Sequence, residues 1–202
     1  MDIMQFMNVL IITAHPASYG FAHKIAERYK KTVEDMGHEA EIIDLYDPRY
    51  RQDFLSFENI KIDCGPTETK SFFQEKITAA DELVFAMPVW WGSAPAIFKN
   101  FLDVNFEAGF AFNYLKNGKV AKHLKGKKAR IFLTADGPRV VYIILDLFYT
   151  FWFNVVVFGL CGIRVTTIDI FSRMFKKRND RDREKMLSLV EKRARSLGRA
   201  RV

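Results

Sequence analysis

Residues 81–103 read DELVFAMPVWWGSAPAIFKNFLD. The run Leu83–Met87 is short and wholly apolar, the pattern of a strand buried on both faces. Pro88 ends it, because proline has no N–H to give a neighbouring strand. Val89, Trp90, Trp91 and Gly92 read as a sharp loop. Ser93 is placed to cap the next helix, with Pro95 in its first turn, where a missing N–H costs nothing. Strand, loop and helix in this order belong to an α/β sheet, whose ligands sit just outside the strands' carboxyl ends. Two adjacent indoles at that edge suit either the wall of a flat ring or ordinary packing.

Before this unit, Met7–Thr13 reads as a buried strand and Ala14–Gly20 (AHPASYG) as a loop. Phe21, Ile25, Tyr29, Val33 and Met36 recur at helical spacing, predicting a helix over Phe21–Asp35 closed by Gly37. Glu39–Leu45 is a second strand, parallel to the first through a right-handed crossover. Tyr46–Pro66 is a long segment of the kind that usually carries function. Thr67–Thr78 reads as a helix that Thr67 caps.

After the unit, Val104–Leu124 is a second long connection, aromatic first and lysine-rich later. Lys128–Thr134 is strand four, Arg164–Phe171 strand five, and Asp180–Leu197 a closing helix. The expectation is one domain over residues 1–202: an α/β, doubly wound, three-layer sandwich with a five-stranded parallel sheet in the order 2-1-3-4-5. Val140–Ile163 is almost wholly apolar and long enough to span a bilayer. Asp146 within it, Gly159 and Gly162 near its end, and the regular α/β alternation around it favour a helix shared between the sheet and a second copy of the chain.

The 202 residues carry a net charge of +7, with the excess concentrated at Lys116–Lys128 and Arg173–Arg201. No nucleic-acid motif accompanies it, so a solvated face and a charged tail are expected. Cys64 and Cys161 make no metal or redox spacing, consistent with reduced thiols in the cytoplasm. The opening MDIMQFMNVLIIT lacks a basic region ahead of its apolar run and is not expected to be a signal peptide.

In the expected strand order the loops after Thr13, Met87 and Thr134 converge. The first leads into a helix N-terminus, which favours an anion. Ser18 and Tyr19 add hydroxyls and Gly20 permits close approach. His15 serves either as an N–H donor or as a loop histidine bonded to its own backbone. The third loop brings Thr134 and Gly137, with Tyr142 one turn beyond, as donor or as packing. There is no catalytic triad, no metal-ligand cluster and no placed carboxylate pair. A phosphate at the first loop and a flat ring across the other two describe a flavin, which carries hydride chemistry itself.

AHPASYGFAHKIAE, DLY, MPVWWGSAPAIFKNFLD and the following F-x-x-G-F-A-F-x-Y resemble the flavodoxin-like-fold NAD(P)H:quinone oxidoreductases, over about Asn8–Thr134. The resemblance implies FMN or FAD as a non-covalent cofactor, NAD(P)H as co-substrate, and ping-pong two-electron reduction of a quinone or similar acceptor. It places His15, Ser18, Gly20, Phe21 and Ala22 in the phosphate loop. Pro88, Val89, Trp90, Trp91 and Gly92 fall along the flavin edge, and Thr134, Asp136 and Gly137 beside its pyrimidine end. Tyr142 falls on a tyrosine that stabilises charge on the ring, while Phe148 stands where the family has a histidine. Asp136 replaces a glycine, and a carboxylate there opposes negative charge on the ring. The resemblance also implies a homodimer, with the interface along Val140–Leu160 and the aromatic Phe106–Tyr114. The competing reading is a flavodoxin-type electron carrier, but the T-x-T-G-x-T loop and acidic surface of that class are absent.

Overall fold

The computed structural model describes residues 6–58, 65–137, 139–174 and 179–197. Cys64, Pro138 and the middle of the Tyr46–Pro66 segment lie outside them. Strand β1 (Asn8–Thr13), helix α1 (Phe21–Asp35) and strand β2 (Glu39–Asp44) open the chain. A 3₁₀ turn (Pro48–Tyr50), α2 (Glu68–Ala79), β3 (Glu82–Pro88) and α3 (Ala96–Asn105) follow. Next come β4 (Phe112–Tyr114), β5 (Val120–Lys122), β6 (Lys128–Thr134) and α4 (Arg139–Phe151). A π-helical stretch (Trp152–Val157), α5 (Phe158–Cys161), β7 (Arg164–Phe171) and α6 (Asp180–Ala194) complete it.

β2-β1-β3-β6-β7 form one parallel sheet. With the separate β4–β5 hairpin set aside, this is the expected 2-1-3-4-5 order. Alternation along each strand sends side chains to two apolar layers. Leu10, Ile12, Leu83, Phe85, Met87, Ile131 and Leu133 meet Phe73, Phe98, Phe101, Tyr149, Phe153 and Phe158 from α2, α3 and the α4–α5 stretch. Val9, Ile11, Val84, Ala86 and Phe132 meet Ile25, Tyr29 and Val33 of α1 and Leu187 and Val190 of α6. β3 is buried at every residue, as its unbroken apolar run predicts.

The second layer holds a buried polar group. Glu82 accepts a hydrogen bond from Tyr29 Oη (2.5 Å) and from Arg130 Nη2 (3.2 Å), and Arg130 Nη1 donates to Ser196 Oγ. Glu82 and Arg130 are both nearly inaccessible. Burial first, then the Glu82 charge, pushes the Tyr29 hydroxyl well above its ordinary range, so it remains a donor.

Beyond shifts of one to three residues at element ends, three regions differ from the sequence reading. The helix after β3 starts at Ala96 with Pro95 as N-cap, and Ser93 makes no side-chain cap. The Val104–Leu124 connection contains the β4–β5 hairpin, in register Phe112↔Lys122 and Tyr114↔Val120. The apolar stretch Val140–Ile163 is not one regular helix. Its π-helical stretch is followed by a left-handed Gly162 (φ 90°), where Gly162 N–H donates to Gly159 O (3.3 Å) and Ile163 N–H to Phe158 O (2.9 Å), the Schellman stop.

Candidate functional site

The ends of β1, β3 and β6 lie side by side, with Thr13 paired to Ala86 and Pro88 to Thr134. Backbone bonds fasten the three exits together. Ala14 N–H donates to Ala86 O (3.1 Å), Val89 N–H to Thr134 O (2.7 Å) and Ala135 N–H to Phe171 O (2.8 Å). The loops after Thr13, Pro88 and Thr134 therefore share one rim, as the strand order requires.

In the first loop, Gly20 is the N-cap of α1 and has no side chain to cap it. His23 and Lys24 N–H bond to Gly20 O, and the N–H groups of Phe21 and Ala22 have no acceptor among the described bonds. Two free N–H groups at the positive end of a 15-residue helix make an anion cradle. His15 Nδ1 lies 3.1 Å from both the N–H and the carbonyl oxygen of Ala17, so the imidazole is bonded to its own loop backbone, with Nδ1 acting as acceptor or donor according to the tautomer. A Cβ on Gly20 would lie 2.7 Å from His15 Cε1 and 2.8 Å from Cγ, so only glycine lets the imidazole rest there. Ser18 and Tyr19 are exposed. Phe21 packs edge-on to Phe171 (6.3 Å), leaving its backbone rather than its ring to the cradle.

Sequence reading did not single out His23. Its ring meets His15 edge to face (6.2 Å, 89°), and its Nε2 lies 3.3 Å from Asp44 Oδ2 at the end of β2. The available signal was the DLY motif, which ends β2 beside this loop, combined with His23 on the first turn of α1. A cleft of about 410 Å³ opens nearby, between 45–54 and α3, lined by Tyr46, Tyr50, Phe54, Ile97, Asn100 and Phe101 among others.

The second loop is a tight turn. Trp90 and Ser93 exchange backbone bonds of 2.9 Å in both directions, and Trp91 (φ 51°) and Gly92 (φ 71°) are both left-handed, the sign pattern of a type I′ turn. Glycine adopts this conformation freely, whereas a bulky tryptophan is forced into it. Trp90 is 42% exposed and Trp91 104% exposed, which excludes core packing for either. Gly92 faces Leu145 of α4, where an added Cβ would lie 3.8 Å from Cδ2.

In the third loop Thr134 is buried and Asp136 exposed. A Cβ on Gly137 (φ 150°) would lie 2.6 Å from Tyr142 Oη, so the phenol rests directly on the turn. Burial, then the Asp136 charge, raises the Tyr142 hydroxyl above its ordinary range and keeps it a donor. Phe148 is exposed and stacks on Trp152 (6.5 Å, 7°).

One side of the α4–α5 stretch enters the core through Tyr149, Phe153 and Phe158. The other exposes Ile143, Ile144, Leu147, Phe148, Phe151, Val155 and Val156. By length and composition Val141–Cys161 could cross a membrane, and most of its side chains lie outside the core. Phe106 is buried and Phe110 and Phe112 pack on the core, so of the aromatic 106–114 segment only Tyr114 projects. Among the described residues no group of three or more His, Cys, Asp or Glu could hold a metal.

A sequence-family profile described as flavodoxin-like fold matches residues 7–194. The chain is 34% identical over 131 residues to an uncharacterized NAD(P)H oxidoreductase of Haemophilus influenzae, covering 63% of this chain and 64% of that one. It is 30% identical over 149 residues to an FMN-dependent NADH:quinone oxidoreductase of Macrococcus caseolyticus, covering 64% and 69%. Across the first curated relatives the chain spans between 54% and 64% of their length. The solved structure of an NAD(P)H:quinone oxidoreductase from Methanothermobacter marburgensis superposes with a TM-score of 0.81 at 24% identity, covering 96% of this chain and 100% of that one.

Proposed function

Because the chain belongs to the flavodoxin-like-fold family, whose profile it matches over residues 7–194, we propose that it is a flavin-dependent NAD(P)H oxidoreductase that reduces quinones or similar small acceptors by two electrons. The observation that carries this reading is the rim itself. An uncapped helix start, two solvent-facing indoles and a glycine turn under a phenol meet at the ends of three adjacent strands. These are the parts a phosphate-tailed aromatic ring needs. FMN is the proposed flavin, following the names of relatives such as the Macrococcus protein.

The α1 N-terminus, with the N–H groups of Phe21 and Ala22, holds the phosphate, and His15 and Ser18 flank it. Pro88 to Gly92 line one edge of the ring, with Trp90 and Trp91 as its aromatic wall. Thr134, Asp136 and Gly137 border the other end. Bound there, a flavin supplies hydride transfer from NAD(P)H and onward two-electron reduction. Tyr142 holds a proton at its hydroxyl beside the Gly137 turn and stabilises negative charge developing nearby. Asp136 works against that charge.

The protein is proposed to be a single-domain, cytoplasmic homodimer. The exposed Ile143–Val156 ridge is the interface, since an apolar surface of this extent on a monomer marks association. Recovery only with detergent would defeat this reading in favour of a membrane-anchored protein.

The test is to purify the protein, record its visible spectrum, identify released flavin by chromatography, and follow NADH and NADPH oxidation with a soluble quinone. A yellow protein that oxidises either nucleotide unaided is expected. A colourless preparation that takes up neither FMN nor FAD overturns the proposal, and a yellow one active only with a separate reductase is an electron carrier.

A further inference from the structure

The segment 116–128, KNGKVAKHLKGKK, holds six lysines, no acid and no arginine. Lys116, Lys119, Lys122 and Lys125 are all exposed. Several surface lysines elsewhere sit against carboxylates: Lys30 with Glu34, Lys31 with Asp35, Lys76 with Glu41 and Lys99 with Asp103. Among the described residues, none of the four hairpin lysines forms an ion pair.

The charges are held in one place. Leu115 N–H donates to Lys119 O (2.8 Å) and Gly118 N–H to Leu115 O (3.0 Å), closing the turn that carries Lys116 and Lys119. Leu124 is buried, and its N–H donates to Cys161 O (3.0 Å), anchoring the base of the segment to the end of α5. A Cβ on Gly162 would lie 2.9 Å from Lys125 Cγ and 3.0 Å from Lys122 Cβ, which sets both lysines over that junction. At the tip, Tyr114 is 71% and Leu115 45% exposed.

We propose that this hairpin docks the protein on an anionic membrane surface. The partner follows from the chemistry. Fixed, unneutralised positive charge requires a diffuse negative surface, and lysine clusters bind anionic headgroups in this way. Nucleic acid is the less suitable partner, because arginine, with its bidentate fork and stacking plane, is wholly missing from the segment. An aromatic and an aliphatic side chain at the tip suit the headgroup boundary, where amphipathic rings reside. The inference goes beyond the proposed chemistry and does not depend on it. It is docking on the surface, with no segment spanning the bilayer.

The test is co-sedimentation of the purified full chain with vesicles of phosphatidylcholine alone and of phosphatidylcholine with phosphatidylglycerol. Binding to the mixed vesicles is expected to exceed binding to the neutral ones at least about tenfold and to fall as salt rises. The combined Lys116→Gln, Lys119→Gln, Lys122→Gln and Lys125→Gln variant is expected to lose up to about a thousandfold in affinity for mixed vesicles. Its thermal midpoint and its flavin content stay as in the parent. Equal binding to both vesicles assigns the contact to the apolar ridge and overturns the proposal. So does mixed-vesicle binding that survives the quadruple change, or tighter retention on double-stranded DNA at the same salt.

Discussion

Glycines at the rim were legible only as permissive positions, and the structure gives two of them a specific partner. Gly20 is not left-handed; it is required because the His15 imidazole occupies the space of a Cβ. Gly20→Ala is therefore expected to displace His15 and weaken FMN binding about tenfold while changing the thermal midpoint little, which fluorescence titration of the apoprotein checks. Tyr142→Phe removes the proton donor at Gly137 and is expected to lower kcat/KM for a soluble quinone roughly 10- to 100-fold with flavin still bound. Asp136→Asn is expected to act in the opposite direction, raising the midpoint potential of the bound flavin in a spectroelectrochemical titration. Burial pushes the Cys161 thiol from its ordinary 9.0 up to about 11. A raised thiol favours the folded state fully below about pH 9, and that contribution drains away as pH climbs toward about 11. Cys161→Ala should flatten the alkaline fall of the urea midpoint; an unchanged slope would place the effect elsewhere. None of these contacts is visible in sequence, because each joins residues whose meeting depends on how the loops close.

Elements were easier to read than their edges. Strands such as Leu83–Met87 are announced by their apolar run, and α1 by the spacing of Ile25, Tyr29 and Val33, because burial imposes period directly. The N-cap at Ser93 fails for a local reason. Trp91 and Gly92 close a type I′ turn that commits the Ser93 amide to Trp90, and the helix waits until after Pro95. The β4–β5 hairpin escapes notice because three residues per strand, with Lys122 among them, show no alternation. The π-helical stretch has a single marker in Gly159, where a Cβ would lie 2.9 Å from the Asn154 carbonyl carbon and closer still to its oxygen. Gly159→Ala should therefore cost about 2–3 kcal/mol in chemical denaturation, well beyond the usual gain from alanine in a helix.

At the scale of the molecule, the rim follows from strand order alone, which is why the sequence already brings together the loops after Thr13, Met87 and Thr134, the second of which starts one residue later, after Pro88. The far end of the sheet was not legible, since Tyr29, Glu82 and Arg130 lie in three elements separated by about 50 residues each. Glu82→Gln strands a buried guanidinium and is expected to destabilise the fold by about 3–5 kcal/mol without touching the rim. Leu147→Glu places a charge in the middle of the Ile143–Val156 ridge. Sedimentation should then find a monomer where the parent is a dimer, and a parent that is already monomeric would remove the ridge as an interface.

The left-handed backbone at Trp91 has one further consequence. A large L-residue held at φ 51° gives up about 1–2 kcal/mol that glycine or asparagine would recover. Under selection for heat survival alone, with no demand for turnover, that codon should drift toward glycine or asparagine. Its retention in a population would report that turnover, and not endurance, is what the lineage is being kept for.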